Sequence, residues 1–134
     1  MGTASETSIL VVDTDRMGLS NSVMALRSAG YQVDGVGTFD EARKHLDSLR
    51  PGLLITEVRL GAYNGIHLIV RSRASRPEMA AILTNRVFDA ALQREATNHR
   101  ATFLVTPCSP EELVEIVVQS VKTETSSDES LAMG

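Results

Sequence analysis

The chain has one cysteine, Cys108, among 134 residues, and it has no tryptophan. A single cysteine excludes an intramolecular disulfide and is typical of a reducing compartment. No apolar run approaches the roughly 20 residues that a membrane helix requires. The first residues also lack the basic segment and apolar core of a signal peptide. These absences predict a cytoplasmic protein that does not contact membranes.

Charge and aromatic content argue against nucleic acid as a direct partner. The net charge is −4, and two tyrosines and three phenylalanines offer no stacking surface for bases. The nearest approach to a basic cluster is Arg71, Arg73 and Arg76, a pattern typical of a solvated helix end. We therefore expect no nucleic-acid partner.

Several common kinds of site are also missing. His45, His67 and His99 lie on different predicted elements, without the spacing of a zinc site. The segment Gly61–Gly65 has glycines but lacks the lysine and spacing of a phosphate-binding loop. Cys108 has no second cysteine for a redox pair, so a small filler residue is the simpler interpretation.

Apolar runs bounded by turn residues predict five strands, separated by helical patterns. The strands are predicted at 8–12, 31–36, 53–57, 80–84 and 102–105, and the helices at about 15–29, 39–50, 65–74, 87–98 and 110–121. Thr38 with Glu41, and Ser109 with Glu112, form capping boxes. On the first helix, either the apolar stripe of Leu19 or a stripe of small residues could face the sheet.

Strands that alternate with helices through short loops imply an α/β fold, with a doubly wound five-stranded parallel sheet covered by helices on both faces. The flavodoxin-like order 2-1-3-4-5 is the leading topology. We expect residues 8–121 to form this domain. Residues 1–7 are predicted to be disordered, and residues 122–134 to be a disordered tail or the stub of a linker.

Polar residues follow the predicted strands at the end where such sheets bind ligands. The set consists of Asp13, Thr14, Asp15, Glu57, Thr84 and Thr106. Asp13, Asp15 and Glu57 are weak candidates for an Mg²⁺ site, because hard cations take oxygen ligands. The alternative is that these residues only cap helices and begin turns. The neighbouring first and third strands favour a shared pocket.

Four blocks resemble the receiver domain of bacterial two-component response regulators, over residues 8 to about 121. They are Ile9–Asp13, the stretch from Pro51 to Leu60 with Asn64-Gly65 after it, Ala81–Thr84, and Phe103–Pro107. The resemblance implies the flavodoxin-like fold, a phosphoacceptor at position 57, a switch pair of Thr84 and Phe103, and a structural Pro107. It implies a signalling module rather than an enzyme.

The chain departs from the receiver pattern at the groups that carry the chemistry. Glu57 stands in place of the acceptor Asp, Thr14 in place of one member of the acidic Mg²⁺-binding pair, and Thr106 in place of the phosphoryl-binding Lys. Asn85 replaces the usual Ala after the switch Thr. These changes predict an atypical receiver with no cofactor, although Asp15 leaves weak Mg²⁺ binding as an alternative.

Two consequences follow for the pocket. Without a cation between them, Asp13 and Glu57 should repel, which would raise the pKa of one carboxyl; alternatively, Glu57 turns outward to solvent. Glu57 either mimics a phosphorylated acceptor as a fixed charge or sits in an inert pocket of a scaffold or dimeriser. The second interpretation is favoured slightly.

The resemblance implies a protein partner: a histidine kinase, an output domain or a second copy of the chain. The expected contact surface is the fourth helix, the fifth strand and the fifth helix. Two other functions stay open, a working Mg²⁺-dependent phosphoacceptor in a phosphorelay and a module that senses a ligand or metal in the same crevice.

Overall fold

The computed structural model of the chain describes residues 7–133, with side chains for residues 7–122. The segments predicted to be disordered, 1–7 and 122–134, fall outside these side chains except for Thr7 and Lys122. Disorder at both ends therefore stays a prediction. No helix in the described part of the chain is long and apolar enough to cross a membrane.

Within residues 7–133 the chain forms seven strands and five helices, and two consecutive strands, the fourth and fifth, are only two residues long. In chain order they are β1 (Ser8–Val12), α1 (Arg16–Ser28), β2 (Gln32–Val36), α2 (Phe39–Leu49), β3 (Leu53–Glu57), β4 (Arg59–Leu60), β5 (Tyr63–Asn64), α3 (Ile66–Ser75), β6 (Ala80–Asn85), α4 (Ala90–Asn98), β7 (Thr102–Val105) and α5 (Pro110–Met133).

Five strands form a parallel sheet in the order β2-β1-β3-β6-β7. The doubly wound fold class is therefore confirmed. The two-residue strands β4 and β5 pair with each other in a separate antiparallel ribbon, which the sequence did not predict. This ribbon follows β3 directly and carries the chain from the carboxyl end of that strand into α3.

The three central strands β1, β3 and β6 are mostly apolar because both faces of the sheet are covered there, whereas the edge strand β2 alternates between buried and exposed residues. Leu10 and Val12 belong to the core beneath α2, α3 and α4, whereas Ile9 and Val11 belong to the core beneath α1 and α5. On α1 the apolar stripe faces inward: Leu26 is fully buried, and Leu19 packs half-buried on the same core.

Helices α2 and α5 begin with the hydrogen bonds that the predicted capping boxes imply. The Thr38 hydroxyl accepts from the Glu41 N–H at 3.1 Å, and the Ser109 hydroxyl accepts from the Glu112 N–H at 3.1 Å. Both pairs satisfy amide groups that a helix leaves unpaired in its first turn.

The predicted start of the fourth helix at Val87 is wrong. Asp89 accepts from the N–H groups of Ala91 and Leu92, so α4 begins at Ala90. Val87 and Phe88 lie instead in an exposed loop between β6 and α4. A side-chain cap inside the periodic segment therefore decides where the helix starts.

Candidate functional site

The sheet places the six predicted pocket residues along its carboxyl edge, five of them at the ends of β1, β3 and β6. Register pairs Glu57 on β3 with Thr84 on β6, and β1 lies on the other side of β3. Asp13 directly follows β1 and donates its backbone N–H to the Val36 carbonyl at 3.1 Å. Thr84 is buried, with 6% of its surface exposed.

The sixth residue, Thr106, lies farther along the same edge, after β7. Its backbone N–H donates to the Asn85 carbonyl at 2.9 Å, which ties it to the end of β6. A hydroxyl at this position carries no positive charge. The chain therefore offers no Lys here to balance the carboxylates.

Glu57 is half-buried, and its carboxylate is turned towards Thr14 rather than outward to solvent. One carboxylate oxygen, Oε1, accepts from the Thr14 backbone N–H at 2.6 Å and from the Thr14 hydroxyl at 2.9 Å. Glu57 and Thr14 thus link the end of β3 to the loop after β1 through two hydrogen bonds. The two side chains complement each other, since the acid at position 57 is long enough to reach the hydroxyl at position 14.

Asp13 lies beside this contact, and its pKa is raised from an ordinary value of 3.8 to about 6. Burial of the carboxyl is the largest cause, and the neighbouring Glu57 carboxylate adds to it. The Asp15 N–H, which donates to Asp13 at 2.8 Å, acts in the opposite direction. A raised pKa was predicted from charge repulsion, but desolvation contributes more.

The Asp15 side chain makes different contacts from those of Asp13 and Thr14. Its carboxylate caps α1 by accepting from the Gly18 N–H at 2.9 Å, and it lies 3.6 Å from the Arg86 guanidinium. Both side chains are largely exposed, so the ion pair contributes little to stability. The sequence did not predict a role for Arg86; its position two residues after Thr84, the predicted switch residue, was the available signal.

Close backbone packing around the site depends on Gly65, which precedes α3. A Cβ atom at this position would lie 2.0 Å from the Glu57 carbonyl oxygen and 2.7 Å from the Thr56 hydroxyl. The loop also closes through the Gly65 N–H, which donates to the Val58 carbonyl at 2.8 Å. A residue with a side chain cannot take this place without displacing the end of β3.

The predicted switch residue Phe103 lies on β7, half-buried against the core. Phe88, from the loop before α4, meets it edge to face with 6.2 Å between ring centroids. Phe88 itself is 62% exposed. The Thr106–Pro107 peptide bond is cis. Thr84 and Phe103 therefore lie on neighbouring strands, and the exposed ring of Phe88 packs against Phe103 from the surface.

Few oxygen groups at this edge are free to bind Mg²⁺. The Thr14 hydroxyl donates to Glu57 and Asp15 caps α1, which leaves Asp13, a carboxyl that takes up a proton as the pH falls through its pKa of about 6. Among the residues that the structure describes, no group of three or more His, Cys, Asp or Glu side chains is arranged to hold a metal ion. A hard divalent cation would need several free anionic oxygens.

Cys108 follows Pro107 and is half-buried. Burial raises the pKa of its thiol, and the charge of Glu112 adds to this effect. A raised pKa reduces the thiolate fraction, which is the opposite of what a reactive cysteine requires. The filler interpretation therefore suits this residue.

Comparison with known proteins places the chain among signalling domains. A family model for the response regulator receiver domain matches residues 9–118. The transcriptional regulatory protein FixJ of Bradyrhizobium diazoefficiens is 29% identical over 119 residues, which cover 85% of this chain and 56% of FixJ. The chain thus spans about half the length of that relative.

Solved structures agree with the observed fold. A CheY-like response regulator receiver domain protein from Methanospirillum hungatei superposes with a TM-score of 0.82 at 21% identity, over 90% of this chain and 98% of that one. NtrX from Brucella abortus superposes with a TM-score of 0.85 at 18% identity, over 96% of this chain and 29% of NtrX. At such identities the likeness concerns the fold alone.

Proposed function

The chain belongs to the family of response regulator receiver domains, whose model matches residues 9–118, and we propose that it is an atypical member that signals through protein contacts without accepting a phosphoryl group. The observation that carries this proposal is the pairing of Glu57 with Thr14. The carboxylate that stands at the acceptor position is already engaged by two hydrogen-bond donors of the same chain.

Geometry at position 57 opposes phosphoryl transfer. Phosphoryl transfer depends mostly on positioning and on neutralisation of developing charge. The extra methylene of Glu57 moves the attacking oxygen by about 1.5 Å, and a displacement of about 1 Å can lower a rate about 100-fold. The contact with Thr14 holds the oxygen in this displaced position.

Charge at the site opposes the reaction as well. Thr106 supplies no cation at the position where receivers carry a Lys. We propose no part for Mg²⁺, because the donor set around Asp13 does not suit it. Negative charge that develops on a transferred phosphoryl group would meet the Asp13 and Glu57 carboxyls without compensation.

Of the two mechanisms considered for Glu57, the contacts support the inert pocket over the fixed-charge mimic. A mimic would have to attract the buried hydroxyl of Thr84 and so affect Phe103. The Oε1 oxygen of Glu57 is turned instead to Thr14, on the side of the site away from β6. The proposed domain therefore acts as a constitutive scaffold or dimeriser.

The proposed contact surface is formed by α4, β7 and α5. Apolar side chains are exposed along it: Val105 by 37% and Val118 by 42%, with Val87 and Phe88 adjoining at 65% and 62%. Several exposed apolar groups on one face favour a protein partner. We propose a histidine kinase, an output domain or a second copy of the chain as that partner, in the cytoplasm.

Incubation of the chain with Mg²⁺ and acetyl phosphate, followed by intact-mass measurement, tests the proposal. We expect no phosphoryl adduct. A stoichiometric adduct that disappears in Glu57→Gln or in Asp13→Asn would overturn the inert pocket and identify a working phosphoacceptor.

A titration with Mn²⁺ addresses the alternative of a metal-sensing module. The amide signals of Asp13, Glu57 and Thr84 are followed by NMR, with Arg94, on the exposed face of α4, as the reference. We expect no saturable broadening at the three site residues relative to Arg94. Selective, saturable broadening there would favour the metal sensor.

A further inference from the structure

A second polar cavity lies at the opposite end of the sheet from Glu57. Its volume is about 230 Å³, and its lining includes Pro51 and Met79, which precede β3 and β6. Arg50 and Arg76, the residues that end α2 and α3, also line it. The cavity exceeds the roughly 30 Å³ that one water molecule occupies in the liquid, so it has room for a polyatomic ligand.

Positive charge predominates around this cavity. Three arginines, Arg50, Arg71 and Arg76, line it together with one acid, Asp47. Arg71 and Asp47 are 3.4 Å apart, and both side chains are more than half exposed, at 51% and 61%. Such a solvent-exposed pair is weak. An incoming anion can therefore compete with Asp47 for the Arg71 guanidinium.

The other two arginines differ in how far they are engaged. Arg76 donates to the Arg50 carbonyl and lies 3.9 Å from Glu78. The Arg50 guanidinium has no hydrogen bond or ion pair within the part of the chain whose side chains are described. Two guanidinium groups, those of Arg50 and Arg71, are thus free or weakly held at the cavity. Guanidinium groups match the oxygen geometry of phosphate closely.

A buried hydroxyl group lies near the arginines of this cavity. Ser72 lines the cavity, and its Oγ atom is shielded from solvent and has no hydrogen-bond partner among the described residues. A buried polar atom without a partner is rare in proteins and calls for a ligand, ion or water to satisfy it. A hydroxyl beside guanidinium groups can donate to an anion oxygen.

We propose that this cavity binds a phosphate-class anion, held by the Arg50 and Arg71 guanidinium groups and by the Ser72 hydroxyl. The carboxyl ends of α2 and α3 place partial negative charge nearby. Binding therefore depends on the arginine side chains rather than on a helix dipole. The ligand is either free phosphate or the phosphate group of a nucleotide, and the site is independent of the function proposed for Glu57.

The test is an NMR titration of the full chain with inorganic phosphate at constant ionic strength, with ATP and acetate in separate titrations. We expect saturable shifts at the amides of Arg50, Ser72 and Arg76 with phosphate or ATP. The anion with the lower Kd identifies the source of the phosphate group. Acetate that binds as tightly as both would overturn the phosphate class, and an absence of saturable shifts with phosphate and ATP would overturn the site.

Single substitutions test which side chains bind the anion. Arg71→Gln and Ser72→Ala should each raise Kd about tenfold, since a hydrogen bond to a charged group is lost. Asp47→Asn should lower Kd because it removes the competing carboxylate. The matched control is Arg94→Gln, which removes an exposed arginine outside the cavity. An equal loss of affinity in Arg94→Gln and Arg71→Gln would contradict a built site and indicate only a general effect of charge.

Discussion

Thr14 donates both its backbone N–H and its hydroxyl to one carboxylate oxygen of Glu57, at 2.6 and 2.9 Å. Both residues are predicted departures from the receiver pattern. A hydroxyl at position 14 has an acceptor only because the side chain at position 57 is long enough to reach it. The pair ties the loop after β1 to the end of β3.

The energy of this pair can be measured by a double-mutant cycle of Thr14→Ala and Glu57→Gln. A hydrogen bond to a charged group contributes up to about 1.5–3 kcal/mol, and partial exposure should reduce the coupling to about 1 kcal/mol. Urea unfolding of the four proteins at pH 7 gives the coupling free energy. Additive effects of the two substitutions would show that the contact contributes nothing.

Asp13 should make the protein more stable as the pH falls from 7.5 to 5. Its pKa in the folded state is about 6, above the ordinary value of 3.8, so between these values the folded state binds more protons than the unfolded state. Stability then rises as the pH decreases through 6. Because the carboxyl is about half exposed, we expect a gain of only about 1 kcal/mol.

Asp13→Asn is the control for this pH dependence. The asparagine variant should be more stable than the natural chain at pH 7.5, and the difference between the two free energies of unfolding should shrink towards pH 5. The difference cancels the contributions of other titrating groups. A difference that is constant across this range would assign the pH dependence to another residue.

Gly65→Ala should destabilise the fold by about 1–3 kcal/mol, the usual cost of forcing extra atoms into a packed site. The added Cβ would lie 2.0 Å from the Glu57 carbonyl oxygen, which belongs to the backbone and cannot turn away. Gly37→Ala is the matched control, because the nearest atom to its Cβ would be 3.8 Å away. Equal midpoints of urea unfolding for both variants would contradict the close approach.

Phe103 should not respond to the charge at position 57 if the pocket is inert. We expect Glu57→Gln to leave the χ1 couplings of the Phe103 side chain, measured by NMR, unchanged. Phe88→Ala serves as the positive control, since it removes the ring that meets Phe103 at 6.2 Å. A changed Phe103 rotamer in Glu57→Gln would favour the fixed-charge mimic.

The fold could be predicted from the sequence because uninterrupted apolar runs and capping residues act locally. The runs gave the strands, and Thr38 and Ser109 gave two helix starts that the hydrogen bonds confirm. The antiparallel ribbon of β4 and β5 could not be predicted, since two-residue strands leave no periodic signal. The predicted start of α4 was wrong because periodicity alone does not show that Asp89, rather than one of its neighbours, caps the helix.

The sequence predicted which residues lie together at the candidate site, but not which hydrogen bonds they form. Strand order alone placed Asp13, Thr14 and Glu57 together. The hydrogen bonds of Thr14 depend on a side-chain rotamer and on a loop conformation, which no short-range pattern encodes. The proximity of Arg86 to Asp15 depends likewise on the path of the loop after β6.

The central claim is that the residues at positions 14, 57 and 106, and not the fold, prevent phosphorylation of this domain. Intact mass after incubation with Mg²⁺ and acetyl phosphate tests it most directly, on the natural chain and on the triple variant Thr14→Asp, Glu57→Asp, Thr106→Lys. Urea unfolding of both proteins establishes that the variant is folded. We predict one phosphoryl group on the triple variant and none on the natural chain. A phosphoryl group on the natural chain, or none on the folded triple variant, would contradict the claim.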